Sequence, residues 1–93
     1  MKVLTSPTFE RHAKKLHKHE KKALDLAVRE VAQDPSIGEA KRGDLAGVYV
    51  YKFKNGSQHW LLAYTVESVD QLTLRLVGPH ENFYKGLKRS RGI

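Results

Sequence analysis

Three stretches with alternating apolar and polar residues predict consecutive β-strands between Val48 and His80. In chain order they read VYVYKFK, SQHWLLAYTV and QLTLRLVGPH. The dipeptide Asn55-Gly56 separates the first two, and it is the strongest short-range signal for a hairpin with a type I′ turn. A two-residue turn at this dipeptide predicts that Lys52 lies opposite His59.

Because side chains alternate along a strand, this register divides the predicted sheet into two faces. The aromatic face is predicted to be core and carries Tyr49, Tyr51, Phe53, Trp60, Leu62 and Tyr64. The opposite face, which we call the basic face, carries Lys52, Lys54 and His59, with Val48, Val50, Leu61 and Ala63 further along. Burial favours a register that places Leu72, Leu74 and Leu76 on the aromatic face, which leaves Arg75 on the basic face.

The segment before these strands predicts two helices. Ser6-Pro7 is typical of a helix start, because serine caps free amide groups and proline is favoured in the first turn. Apolar residues then recur with helical spacing at Phe9, Ala13 and Leu16, and again at Leu24, Ala27, Val28 and Val31. Asp34-Pro35 ends the second helix, since a residue before proline avoids the α region.

The predicted order of elements is β-α-α-β-β-β, with an edge strand at positions 2–5, a loop at 35–47 and a short C-terminal helix or turn. We therefore expect an α+β fold in which a helical hairpin packs on one face of an antiparallel sheet. The length of 93 residues predicts one domain spanning residues 1–93.

Charge and composition narrow the function classes. The net charge of +7 favours a polyanionic partner, nucleic acid or an acidic protein, over the alternative that the charge serves only solubility. No signal peptide and no apolar run long enough to cross a bilayer is present, which predicts a cytoplasmic protein without a membrane partner. The chain has no cysteine and no HExxH motif, so we expect neither a metal site nor another cofactor.

One constellation of residue types fits cleavage of RNA: Lys52, Lys54, His59, Arg75, His80 and Tyr84. Attack by a ribose 2′-OH needs a group that takes its proton, cations around the phosphorane oxygens and an acid for the leaving oxygen. Histidine titrates near neutral pH and serves as acid or base, and lysine binds phosphate. The alternative is structural: the lysines are ordinary polar residues on an exposed sheet face, and His80 caps the last helix.

Several segments resemble the RelE/ParE superfamily of bacterial toxins over nearly the whole chain. They are the Ser-Pro-x-Phe start of the first helix, Gly-Asp-Leu-Ala-Gly before YKFK, the WLLAY strand and the GPHENFY ending. The resemblance implies a toxin paired with an antitoxin protein. RelE-like members cut mRNA in the ribosomal A site, whereas ParE-like members poison DNA gyrase.

The residue-by-residue match favours the nuclease branch. YKFK resembles the catalytic strand of RelE, which implies catalytic roles for Lys52 and Lys54. GPHENFY resembles the ending of YafQ-like members, which implies catalytic roles for His80 and Tyr84. HWLLAY resembles a site strand of YafQ, and this adds His59 as a catalytic candidate and Trp60 as a binding candidate. RelE has an arginine where this chain has Leu61.

The resemblance thus implies a metal-independent, ribosome-dependent mRNA endoribonuclease that inhibits translation; the alternative is a ParE-like gyrase inhibitor without nuclease activity. The expected partners are a cognate antitoxin and mRNA in the ribosomal A site, with DNA contacted only through an antitoxin complex. The residues predicted to bind RNA are Lys41, Arg42, Trp60, Arg75, Lys88 and Arg89.

Overall fold

One five-stranded sheet organises the described part of the chain, with the strands in the order β1-β5-β4-β3-β2. The structure is a computed structural model and describes residues 1–91. The strands are β1 (Lys2–Thr5), β2 (Glu39–Ala40), β3 (Val48–Asn55), β4 (Gln58–Ser68) and β5 (Gln71–Pro79), and the helices are α1 (Pro7–Lys14), α2 (Lys18–Gln33) and α3 (Phe83–Arg91). β1 runs parallel to β5, and the other neighbours are antiparallel. The predicted α+β fold is confirmed.

The β3–β4 hairpin turns one residue later than its sequence predicts. Asn55 pairs with Gln58, so the central residues of the turn are Gly56 and Ser57. Gly56 has a φ of 64°, whereas Ser57 is not among the residues with positive φ. Positive φ at the first central residue alone is the pattern of a type II′ turn, not of the predicted type I′ turn. Asn55 stays in the strand because its buried amide reaches the Glu20 carboxylate of α2, at 3.5 Å.

Because the turn comes later, the cross-strand pairs differ from the predicted ones, but each residue stays on its predicted face of the sheet. His59 lies opposite Lys54, not opposite Lys52 as predicted, and Lys52 lies opposite Leu61. The pairing moves by two residues, an even number, so each side chain keeps the face that its position in the alternating pattern assigns.

An irregularity between β4 and β5 overturns one further prediction. Tyr64 pairs with Leu74 and Ala63 with Leu76, so Arg75 is an extra residue in β5. Leu76 therefore lies on the basic face in a second apolar cluster, not on the aromatic face where its alternation with Leu74 placed it. A bulge of this kind switches the face of every residue beyond it.

Helices α1 and α2 cover the aromatic face. Ser6 caps α1, since its Oγ accepts a hydrogen bond from the Phe9 amide at 3.1 Å. At the start of α2 the Glu20 carboxylate accepts a hydrogen bond from the backbone amide of His17 at 2.8 Å. The resulting core joins residues of both helices to the sheet: Phe9, Leu24, Ala27, Val31, Phe53, Trp60, Leu62, Tyr64, Leu72, Leu74 and Val77.

Helix α3 covers part of the basic face, on the opposite side of the sheet. Its residues Phe83 and Leu87 are buried in the second cluster with Leu45, Val48, Val50, Leu61, Ala63 and Leu76. The basic face is thus divided into an apolar region beneath α3 and an open region beside the β3–β4 turn.

No helix within residues 1–91 is long and apolar enough to cross a membrane.

The segment predicted as a loop contains the short edge strand β2, which a buried tyrosine holds in place. The Tyr64 hydroxyl donates to the carbonyl of Pro35 at 2.6 Å and accepts from the amide of Gly38 at 3.0 Å. These two bonds fix the backbone immediately before β2. Glu39 and Ala40 then pair with Val50 and Tyr49, respectively.

Candidate functional site

Three polar residues lie side by side across the open region of the basic face. Lys54 of β3 is opposite His59 of β4, and the His80 amide lies 3.4 Å from the carbonyl of His59 on the other side. Directly opposed residues have Cβ atoms about 5 Å apart, so the side chains of this Lys–His–His row are neighbours. All three are exposed, and none forms a side-chain hydrogen bond or salt bridge within residues 1–91. They are therefore available to an external ligand.

The adjacent row along the strands has a lysine at its edge and a buried centre. Lys52 is exposed and pairs with Leu61, which in turn pairs with Gly78 of β5. Leu61 is only 2% exposed and lies beneath α3. The position at which RelE carries an arginine is therefore filled here by a buried apolar side chain.

Strand β2 adds the carboxylate of Glu39 to the basic face, and Lys41, directly after the strand, adds a further lysine. Glu39 forms a salt bridge with Lys41, and the ammonium of Lys41 lies 5.0 Å from the centre of the Tyr84 ring. This ion pair lowers the pKa of Glu39, with a smaller contribution from Lys52, and raises the pKa of Lys41. A shallow depression of 260 Å³ is lined by these four residues together with Leu61 and others.

Helix α3 brings Tyr84 next to His80. Phe83 is buried and anchors the helix, and the Phe83 amide donates to the carbonyl of His80 at 3.2 Å. The Tyr84 ring, which is half-buried, meets the His80 ring edge-on with centroids 6.2 Å apart. The carbonyl of His80 thus accepts a bond at the helix start, while its imidazole remains exposed beside an aromatic ring.

Comparison with known proteins identifies the family. Residues 3–88 match the ParE-like toxins of type II bacterial toxin–antitoxin systems. This chain belongs to that family. No curated protein sequence matches it.

Solved structures of bacterial toxins share the fold of this ParE-like toxin. A double arginine-to-alanine mutant of the Escherichia coli toxin RelE in the free state is 19% identical, with a TM-score of 0.74 over 99% of this chain and 96% of the other. A chain of the intact E. coli RelBE toxin–antitoxin complex is 21% identical, with a TM-score of 0.70 over 86% of this chain and 96% of the other. A chain of the RelBE2 complex of Mycobacterium tuberculosis is 20% identical, with a TM-score of 0.61 over 85% and 96%.

Two of the residues predicted to bind RNA lie away from the Lys–His–His row of this ParE-like toxin. Trp60 is 6% exposed in the core on the aromatic face, and its ring nitrogen donates to the side chain of Gln58. It therefore lacks the exposed surface that the predicted contact requires. Arg75 is on the basic face but at its far end, where it donates to Thr65 at 3.0 Å and lies 3.4 Å from Glu67.

The other predicted binding residues surround Tyr84 or follow it along α3. Lys41, Arg42 and Lys88 share a depression of 510 Å³ with Tyr84, and the Lys88 ammonium lies 3.9 Å from the carboxylate of Asp44. Arg89 is exposed in a separate depression lined by Asn82, Lys85 and Gly86. The toxin thus continues its basic surface from the row towards the loop before β3.

Glu39 is the residue near the site that sequence reasoning missed. Its strand contains only two residues, too few for an alternating pattern to reveal it.

Within residues 1–91, no group of three or more histidine and carboxylate side chains could hold a metal ion.

Proposed function

We propose that this toxin is a ribosome-dependent endoribonuclease that cuts mRNA in the ribosomal A site and thereby inhibits translation. The observation that carries the proposal is the exposed Lys–His–His row. None of the three side chains has a hydrogen-bonding or ionic partner within residues 1–91, so contacts inside the fold do not account for their grouping. An RNA phosphate placed over the row would supply that partner.

The chemistry follows from the groups in and beside the row. The 2′-oxygen of a ribose attacks the adjacent phosphorus, its proton passes to one imidazole, and the bond to the 5′-oxygen breaks as the other imidazole donates a proton to it. His59 and His80 are these two imidazoles. Lys52 and Lys54 stabilise the negative charge that develops on the phosphorane oxygens. RNA supplies its own nucleophile, so the reaction needs no metal, and the products carry a 2′,3′-cyclic phosphate and a 5′-hydroxyl.

Tyr84 and the cations near it are suited to hold the bases and the flanking phosphates. An aromatic ring on an exposed surface stacks on unpaired bases, which is the usual way in which proteins bind single-stranded RNA. Lys41, Arg42 and Lys88 line one depression with this ring. We assign the binding of the substrate strand to these residues, with Arg89 as an outer contact.

We also propose that a cognate antitoxin covers the helical side of the toxin. A groove of 430 Å³ between α1 and α2 is lined by Phe9, Ala13, Leu24, Val28 and Leu74, and its rim carries Lys14 and Lys21 together with the carboxylates of Glu10 and Asp25. An amphipathic segment whose apolar positions are flanked by charges of both signs would match this groove. The E. coli and M. tuberculosis structures that share the fold are toxin–antitoxin complexes, which supports an antitoxin as a partner.

Inhibition of DNA gyrase without nuclease activity is the second candidate. Two observations favour it: the match to ParE-like toxins, and the buried Leu61 at the position where RelE has an arginine. The early response to induction separates the two candidates. Translation stops first under the nuclease proposal, and DNA-damage signalling begins first under the gyrase proposal.

The decisive experiment replaces His80. His80→Ala is expected to lower cleavage of ribosome-bound mRNA by about 100-fold or more, the usual scale of general acid–base catalysis. His80→Gln should be nearly as damaging, because glutamine forms hydrogen bonds but transfers no proton. His12→Ala is the matched control, since this exposed histidine lies on α1, on the other side of the sheet, and should leave the rate unchanged. Cleavage by purified His80→Ala at the parental rate would contradict the proposal.

A further inference from the structure

A second basic surface lies where α1 ends and α2 begins. Positions 11–22 contain six lysine and arginine residues and one carboxylate, a net charge of +5 against +7 for the whole chain. We call the six cationic residues the basic corner: Arg11, Lys14, Lys15, Lys18, Lys21 and Lys22. All six are exposed, and none forms a salt bridge within residues 1–91.

The lysines of the basic corner on α2 are placed against the stability of that helix, whereas Arg11 and Lys14 lie in the last turn of α1, where cations are stabilising. The amino end of a helix carries partial positive charge and favours anions. Three of the first five residues of α2 are nevertheless lysines: Lys18, Lys21 and Lys22. Lys18 and Lys22 are four residues apart, a spacing at which like charges repel. The last turn of α2, where cations would be stabilising, contains no basic residue. A ligand outside the chain accounts for this arrangement better than folding does.

The composition of the basic corner distinguishes between nucleic acid and protein as that ligand. Every exposed side chain between positions 11 and 22 is lysine, arginine or histidine. The centres of protein–protein interfaces are depleted of lysine and need apolar or aromatic anchors. Lys14 and Lys21 border such anchors in the groove between α1 and α2, whereas Lys15, Lys18 and Lys22 do not line that groove. A phosphate backbone needs only cations, and a surface of lysines supplies them without reading the sequence.

We propose that the basic corner binds the phosphate backbone of a folded RNA, as a contact separate from the strand held at the basic face. The inference rests on the proposed function in that both contacts are made to one RNA assembly. The hydrogen bond between Asn55 and Glu20 joins the first turn of α2 to the β3–β4 hairpin. The start of α2, with Lys18, Lys21 and Lys22, and the Lys–His–His row therefore lie at the same end of the molecule, on opposite sides of the sheet, and a folded RNA reaches both by passing around the hairpin. Arg11 lies towards the other end, where it lines a cavity with Thr65 and Arg75.

The test measures how salt weakens binding of the full chain to a labelled RNA stem-loop. Lys15, Lys18 and Lys22 do not line the groove between α1 and α2, so their replacement leaves the proposed antitoxin site intact. We expect the triple variant Lys15→Gln/Lys18→Gln/Lys22→Gln to bind about 10-fold or more weakly near ~0.1 M salt, and the slope of log affinity against log salt to fall by about 2 to 3.

A control variant makes the same change in net charge elsewhere. Lys2→Glu/Arg29→Gln lowers the net charge by the same three units at two exposed cations outside the basic corner and outside the depressions assigned to the substrate strand, and it should retain the parental slope. Equal losses in the two variants, or a parental slope in the first, would overturn the inference. Loss of antitoxin binding with unchanged RNA binding would also overturn it and assign the surface to a protein.

The same assay separates this inference from the proposed nuclease activity. The triple variant retains Lys52, Lys54, His59 and His80, so a change in its salt slope reports on the basic corner alone. If His80→Ala still cleaves mRNA, the nuclease proposal fails while the basic corner can still be confirmed by its salt slope. If only the slope prediction fails, the nuclease proposal is unaffected.

Discussion

Both ends of the basic face carry basic residues, but only at one end are these residues paired within the chain. Beside the β3–β4 turn, Lys54 and His59 are directly opposed and form no salt bridge within the described residues. At the other end, Arg75 donates to Thr65 and pairs with Glu67. The guanidinium of Arg75 at the far end thus has partners within the chain, whereas the ammonium of Lys54 at the hairpin end has no salt-bridge partner among the described residues. Charge alone therefore does not mark a site; charge without an internal partner is the more informative signal.

The largest expected effect comes from removing cations at the hairpin end. Lys52→Ala/Lys54→Ala should lower mRNA cleavage by about 1000-fold, since single donors that stabilise a transition-state anion contribute about 100- to 1000-fold. Arg75→Ala, at the far end, should change the rate by less than about 3-fold, because its guanidinium is already bonded within the sheet. Cleavage rates on purified ribosomes measure both effects. A loss with Arg75→Ala as large as that of the double variant would break the distinction between the two ends.

The second prediction concerns Leu61, which lies between these ends. Leu61→Arg introduces the residue type of RelE at a position that is 2% exposed beneath α3. A charge buried there without a partner should reduce the free energy of unfolding by about 3 kcal/mol. Urea denaturation measures this, with Lys52→Arg, on the exposed neighbour, as the matched control. A stable and more active Leu61→Arg toxin would show that α3 readily leaves the basic face.

The third prediction tests the support of β2. A Cβ atom at Gly38 would overlap the Tyr64 hydroxyl and lie 2.9 Å from its Cζ atom. Because the buried ring has no room to move, Gly38→Ala should destabilise the toxin by about 2 kcal/mol, the usual scale of overpacking. At Gly86 the added Cβ would lie 3.7 Å from Leu76, an ordinary contact. Gly86→Ala should therefore be neutral or stabilising by about 0.5–1 kcal/mol, because alanine favours a helix. Thermal denaturation of both variants measures the contrast.

The division of the sheet into faces was predictable from the sequence, even though the turn was not placed correctly. Alternation of side chains depends only on whether a position is odd or even, and a turn displaced by one residue moves each pairing by two. Lys52, Lys54 and His59 therefore share a face for any turn that preserves this parity. The turn itself depends on the bond between Asn55 and Glu20, a contact across 35 positions that local propensity does not contain.

The features that the sequence did not reveal are those set by distant contacts. The extra residue at Arg75 moves Leu76 to the other face, and nothing in the alternating leucines indicates it. Glu39 reaches the basic face only because the Tyr64 hydroxyl fixes the loop before it. The catalytic and binding roles assigned to individual residues remain predictions, and the variants described above test them.

The smallest expected effect concerns the satisfied end of the basic face. The Thr65 hydroxyl, which donates to Glu67 at 2.7 Å, lowers the pKa of Glu67 from its ordinary value of 4.5, with further contributions from Thr73 and Arg75. Because the pKa is lower in the folded protein, this contribution to stability is present above the unfolded-state pKa and is lost as the pH falls through the folded-state pKa.

Glu67→Gln should therefore be less stable than the parent near neutral pH, and the two should converge as the pH falls from about 5 to about 3. The difference should not exceed about 0.5 kcal/mol, since the Glu67 side chain is 38% exposed and solvent screens the interaction. Urea denaturation across this pH range measures it. In a Thr65→Val background, which removes the first donor, the effect of Glu67→Gln should shrink. An unchanged effect there would mean that the carboxylate is held by Arg75 instead, and that the far end is organised by its ion pair.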